Sequence, residues 1–178
     1  MVRRLAIAVA ALVAVSLVPA ASSAAVTGKQ RARAVKWAVE HTGMREAGTT
    51  NCGPQISRWQ RQMGLRLPPC RPWCGAFLHQ AYLRAGVRLS ARLIDPDRSY
   101  DDAIKGRRGL RRIDVEDVRK GDLLFFAFRQ GLRASHFAIA RGRPRDGRVS
   151  TAEGNVGHRS VLASRNLGIV VLAARVTG

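Results

Sequence analysis

The sequence predicts an α+β domain in which N-terminal helices pack on a C-terminal antiparallel β-sheet. Between residues 29 and 86 apolar side chains recur at helical spacing. From Gly121 onward the apolar runs are short and are separated by Gly, Pro, Asp and Asn turn signals. Helices first and strands afterwards is the α+β pattern, and no internal repeat, low-complexity tract or Pro/Ser-rich linker divides the 178 residues, so one domain is expected.

Met1, Val2, Arg3 and Arg4 precede a small and apolar run over 5–18, closed by Pro19 and the small residues 20–25. This is the pattern of a secretory signal peptide, residues 1–24, with cleavage expected after Ala24 or Ala25. The run is shorter than the ~20 apolar residues that a membrane-spanning helix needs, so no stable membrane span is expected after cleavage. Arg3 and Arg4 read as an ordinary basic n-region. Residues 25–178 then have a natural length for a single domain with one core.

In residues 29–41, Ala34, Val35, Ala38 and Val39 share a helical face, and Gly43 is the stop signal. Residues 54–63 form a second short helix ended by Gly64, and Pro68, Pro69 and Pro72 impose a stiff, extended approach to Trp73 and Cys74. Phe77, Leu78, Ala81, Tyr82 and Ala85 mark a third helix over 74–85 with Gly86 at its C-terminal cap, which puts Cys74 in the first turn. Residues 87–120 are polar and weakly periodic and read as a long connection holding a helical turn. Strands are expected at 123–128, 137–140, 149–152 and 169–174.

Lys and Arg number 31 against 12 Asp and Glu, a formal charge of +19. A basic domain favours an anionic surface, and an exported one meets the phosphate-rich polymers and carboxylates of a bacterial envelope, not nucleic acid. The arginines are scattered, so each alone reads as solvated surface. A monomer is expected.

Three cysteines cannot all pair within one exported chain. Cys52 and Cys70 bracket a short segment whose closure is worth about 3 kcal/mol in the chain-entropy model, which leaves Cys74 as the odd thiol. A lone buried Cys is usually a small hydrophobe, but a thiol at a helix N-terminus is placed where the anion is favoured. Among the histidines, His79 lies about 140° around the helix from Cys74, and His41 and His158 read as surface. His136 opens an apolar strand whose partner is reached through the turn Pro144, Arg145, Asp146, Gly147, so paired positions sum to about 289–291. Either Glu153 or Asn155 then faces His136, and both project from its face of the sheet. A polar or acidic neighbour is what a cysteine hydrolase needs to hold its imidazole.

The stretches Pro72-Trp73-Cys74-Gly75-Ala76-Phe77, Gly121-Asp122-Leu123-Leu124-Phe125-Phe126, His136-Phe137-Ala138-Ile139 and Glu153-Gly154-Asn155, in that order, resemble the signature of the CHAP family of cysteine, histidine-dependent amidohydrolases/peptidases. The likeness runs over about 40–175 and reaches upstream to Glu46 and Asn51-Cys52-Gly53-Pro54. It implies a papain-like fold and a secreted or wall-associated hydrolase that cuts peptidoglycan at the muramoyl-L-alanine amide or at a stem or cross-bridge peptide bond. By position Cys74 is the nucleophile, His136 the general base and then acid, and Glu153 and Asn155 the orienting groups. Gln55 and Asn51 are candidates for the side-chain oxyanion donor.

No metal or cofactor is expected. Members of the family with a calcium site carry acids ahead of the nucleophile, and here none follows Glu46 in that segment. The cluster Asp95, Asp97, Asp101, Asp102 fails as a calcium loop, with Tyr100 where the turn Gly belongs and Gly106 where the bidentate Glu belongs. Cys52, Cys70 and Cys74 have no common zinc spacing. The rival readings are an NlpC-type endopeptidase, whose third polar residue is usually His, a toxin aimed at a competitor's wall, and a catalytically silent wall-binding domain.

Overall fold

Thr27 starts the first helix, α1 (Gly28–Glu40): its hydroxyl accepts from the Gln30 N–H while the Gln30 side chain accepts from the Thr27 N–H. The computed structural model describes residues 25–178, so the predicted signal peptide lies outside the described residues. Ala34, Val35 and Ala38 form the buried face of α1. Helix α2 (Pro54–Gln62) has Pro at its first position, where a missing N–H costs nothing, and buries Ile56 and Trp59. Helix α3 (Cys74–Arg84) is buried from Cys74 to Tyr82 and is the centre of the helical layer.

Cys52 and Cys70 are disulfide-bonded, with Cα atoms 5.5 Å apart, as the cysteine parity predicts. Inside that loop the buried Gln60 donates to the carbonyls of Asn51 and Arg71 (3.0 and 2.9 Å) and accepts from the Arg71 N–H (2.9 Å). The proline-rich arm is thereby tied to α2 just before it reaches Cys74.

Residues 87–120 hold more structure than their polarity suggests. Asp95 accepts from the N–H groups of Asp97 and Arg98 and starts helix α4 (Pro96–Ile104). Strand β1 (Leu110–Ile113) follows, too short to show an alternating pattern. The acidic residues of α4 are consumed locally: Arg133 pairs with Asp97 and Asp101, and Arg92 with Asp102.

The sheet continues with β2 (Leu123–Phe126), β3 (His136–Ala140), β4 (Arg148–Val156), β5 (Arg159–Asn166) and β6 (Val170–Val176), in the order β1-β6-β2-β3-β4-β5, every pair antiparallel. Both faces of its centre are covered: Leu123, Phe125, Phe137 and Ile139 face the helices, while Leu124, Phe126, Ala138 and Ala140 join Ile113, Val118 and Val149 in a second cluster. That double burial is why the sequence reads as continuous apolar runs at β2 and β3.

Two glycines of the quoted motifs are set by close approach. A Cβ on Gly75 would stand 1.9 Å from the Leu93 carbonyl oxygen, and one on Gly154 would stand 2.5 Å from Phe77 Cβ. Asp122, in another motif, is fully buried and gripped by Arg175 (2.8 and 3.0 Å) and by the Arg119 N–H, a structural ion pair at the start of β2.

Candidate active site

Cys74 is the first residue of α3, a free and almost wholly buried thiol. Its backbone N–H is among those that open an α-helix without an intrahelical partner. The preceding Trp73 is fully buried, and its indole N–H donates to Glu46 Oε2 (3.2 Å). Glu46 also pairs with His158 Nδ1, so His158, a surface turn residue by sequence, has a carboxylate partner.

A cleft of about 950 Å³ opens beside Cys74, and His136, Asn155 and Arg165 line it too. The observed β3–β4 pairs, Ile139 with Ala152 and Ala140 with Thr151, sum to 291, within the range read from the turn. Continued to the strand end, this register sets Asn155 opposite His136, with Glu153 two residues back on the same face. The chain chooses the diagonal partner: His136 Nε2 lies 2.9 Å from Glu153 Oε2. A bulge between Glu153 and Val156 puts Asn155 at φ 63°, and its amide donates to Asn51 Oδ1 (3.1 Å).

Glu153 is fully buried. It accepts from Thr151 (2.5 Å) and, through both oxygens, from Arg165 Nε and Nη2 (2.8 and 2.7 Å). Burial alone raises a carboxyl; the bonds from Arg165, His136 and Thr151 outweigh it and hold Glu153 down at about 2. Burial likewise disfavours the His136 cation, but hydrogen bonding with Cys74 and Glu153 overrides it and the imidazole is pushed up to about 9. With Nε2 committed to Glu153, Nδ1 is the ring nitrogen left to exchange a proton with the thiol.

The remaining candidates are dispersed. Asn51 sits at φ 58° with its side chain on Asn155, and Gln55 is exposed on α2; neither forms part of the cleft wall. His41 bonds the Trp37 carbonyl (2.8 Å) and stacks on the indole. His79 is buried along α3, where desolvation keeps its pKa below the ordinary value. Trp73, Phe125, Phe126 and Phe137 are core, as their type suggests. Among the described residues no group of three or more His, Cys, Asp or Glu is disposed to hold a metal ion.

Sequence reasoning missed Thr151, Arg165 and the Glu46–His158 pair. Arg165 lies on β5, which the sequence reading does not predict, and one Arg among many carries no local signal. Only the β4–β5 pairing brings it to the face of Glu153.

No protein-family model matches the sequence, and no curated protein matches it. Among solved structures, it is similar to a lipoprotein-like protein of the NLP/P60 family from Staphylococcus aureus, with 18% identity and a TM-score of 0.51 over 89% of this chain and 45% of that one. It is similar also to NlpC1 of Trichomonas vaginalis, with 16% identity and a TM-score of 0.51 over 86% of this chain and 46% of the other. The chain thus spans less than half the length of either structure. The likeness establishes the fold, an α+β papain-like arrangement of helices on an antiparallel sheet.

Proposed function

We propose that this chain is an exported cysteine amidohydrolase of the CHAP kind, residues 1–24 its signal peptide and 25–178 its catalytic domain, cutting an amide bond in peptidoglycan. One observation carries the reading: a helix-N-terminal thiol and an imidazole fixed by a buried carboxylate share a single cleft. Cys74 attacks the amide carbon as the thiolate, with the proton on His136. The Cys74 N–H holds the oxyanion; of the two side-chain candidates Asn51 is the better placed, because it bonds Asn155 on the cleft wall and Gln55 does not. His136 then protonates the leaving amine, and a water deprotonated by the same ring clears the thioester.

Peptidoglycan suits the cleft's charge. Arg71 and Arg129 line it with no ion pair to a carboxylate among the described residues, so an anionic substrate would supply their partners. No helix among the described residues is long and apolar enough to cross a membrane, and we propose a monomer acting outside the cell or at the wall. An NlpC-type endopeptidase is the second reading: the similar folds favour it, and Glu153 in the third polar position argues for the CHAP alternative.

The test is release of new amines from purified sacculi by the mature protein and its Cys74→Ala variant. We expect the variant to lose activity by at least about a thousandfold; unchanged release would overturn the reading. Mass spectrometry of the released fragments names the bond and separates amidase from endopeptidase.

A further inference from the structure

Glu153 carries more cation than one imidazole requires. It has no solvent exposure and bonds His136, Thr151 and both arms of the Arg165 fork. In the catalytic cycle proposed above His136 is a cation for only part of each turnover, whereas a buried carboxylate needs a compensating charge throughout. A guanidinium is permanently charged and matches a carboxylate with two parallel bonds.

Arg165 is itself held. Its guanidinium carbon stands 5.8 Å from the Phe126 ring centroid and 5.6 Å from that of Phe128, and those two rings stack on one another 5.5 Å apart. Both rings also flank His136, at 6.1 and 5.9 Å. The arginine, the carboxylate, the imidazole and two aromatic rings therefore form one packed unit on the wall of the cleft.

We propose that Arg165 is the positioning residue of the His136–Glu153 pair: its fork fixes the carboxylate in the rotamer that presents Oε2 to the imidazole and shares its charge. The ring is thereby aimed at Cys74 yet stays able to give up its proton. A carboxylate paired with His136 alone would grip the imidazolium during amine departure and would stand uncompensated once the ring was neutral. This role rests on the assignment of Cys74 and His136 given above.

The other charged groups facing the cleft are Arg71, Arg92, Arg98, Arg129, Asp95 and Asp97. None bonds Glu153; Arg92 is engaged by Asp102 and Arg98 by Asp95. Cys74 is the group that α3 contributes.

Two variants test it, Arg165→Gln and Arg165→Lys, the second keeping the buried charge and reporting even if the first does not fold. The 13C shift of the Glu153 carboxyl is followed against pH in the folded mature protein, and kcat and KM on purified sacculi are measured over the same range. We expect the carboxyl titration to move up by about one to three pH units in Arg165→Gln and by less in Arg165→Lys. The acid-side midpoint of kcat should follow it, with kcat down about ten- to a hundredfold and KM within about threefold. An unmoved carboxyl titration overturns the inference even if melting temperature falls, and so does a raised KM at unchanged kcat. A moved titration in a protein that never cleaves sacculi supports the hold on Glu153 and overturns the functional reading instead.

Discussion

The molecule contains the same pair of side chains twice. His136 meets Glu153 and His158 meets Glu46, each a histidine on a fully buried carboxylate. Their surroundings differ. The His136 side chain is only 9% exposed and stands in a cleft with a free thiol; its carboxylate is shared with Arg165 and Thr151. The His158 side chain is 55% exposed at the turn between β4 and β5, and its carboxylate spends the other oxygen on the Trp73 indole. A histidine–carboxylate pair is thus not a site in itself. Its third neighbour decides: in the function proposed above, a thiol makes the first pair part of a nucleophile, whereas an indole makes the second a support for the residue that precedes the thiol.

The sharpest break of this comparison is removal of each ring. His136→Ala should lower turnover of sacculi by about a thousandfold or more, and His158→Ala should leave it within about threefold. Equal losses from the two would erase the distinction. Next comes the carboxylate: Glu153→Gln keeps the shape but loses the charge that steadies the imidazolium and should cost about a hundredfold in kcat.

Stability against pH tests the His136 pair in a different way. The folded pKa of His136, about 9, exceeds its ordinary 6.5, so the stabilisation is fully present below pH 6.5 and is lost as pH rises through 9. Its upper bound is about 3 kcal/mol. Thermal melts should therefore fall from neutral pH toward pH 9 in the wild type and stay flatter in His136→Gln. Identical slopes in the two would remove His136 as the source. Glu46→Ala acts on stability more than on activity, because it leaves a buried indole N–H without its acceptor; a loss of about 1–3 kcal/mol is expected, with kcat within about threefold.

The helical half of the fold was legible because its signals are local. Gly43, Gly64 and Gly86 follow the helices they end, Pro54 opens α2, and the apolar spacing after Cys74 marks α3 to within a residue. The sheet was legible at its four inner strands, most plainly at β2 and β3, which are buried on both faces, and not at its edges, β1 and β5. Strand β5 sets Val161, Leu162 and Ala163, none of them buried, between polar residues at both ends, and β1 exists only because β6 returns to pair with it. Helix α4 did have a local signal, Asp95 before Pro96, hidden within a polar stretch. At the site, hairpin arithmetic limited the partner of His136 to Glu153 or Asn155; the bulge after Glu153, a matter of backbone geometry, turned Asn155 aside to Asn51.

The sequence by itself determined which thiol is free, that it opens a helix, and that a histidine and an acid share one face of a hairpin. Parity, helical spacing and strand alternation are properties of neighbours in the chain. The tertiary structure decided what holds that acid and what borders the cleft. Arg165 reaches Glu153 from an edge strand, Arg133 joins the loop before β3 to α4, and Glu46 supports Trp73 from 27 residues away. Such contacts depend on strand pairing and on the packing of helices against the sheet, and a buried charge takes whichever partner that packing delivers.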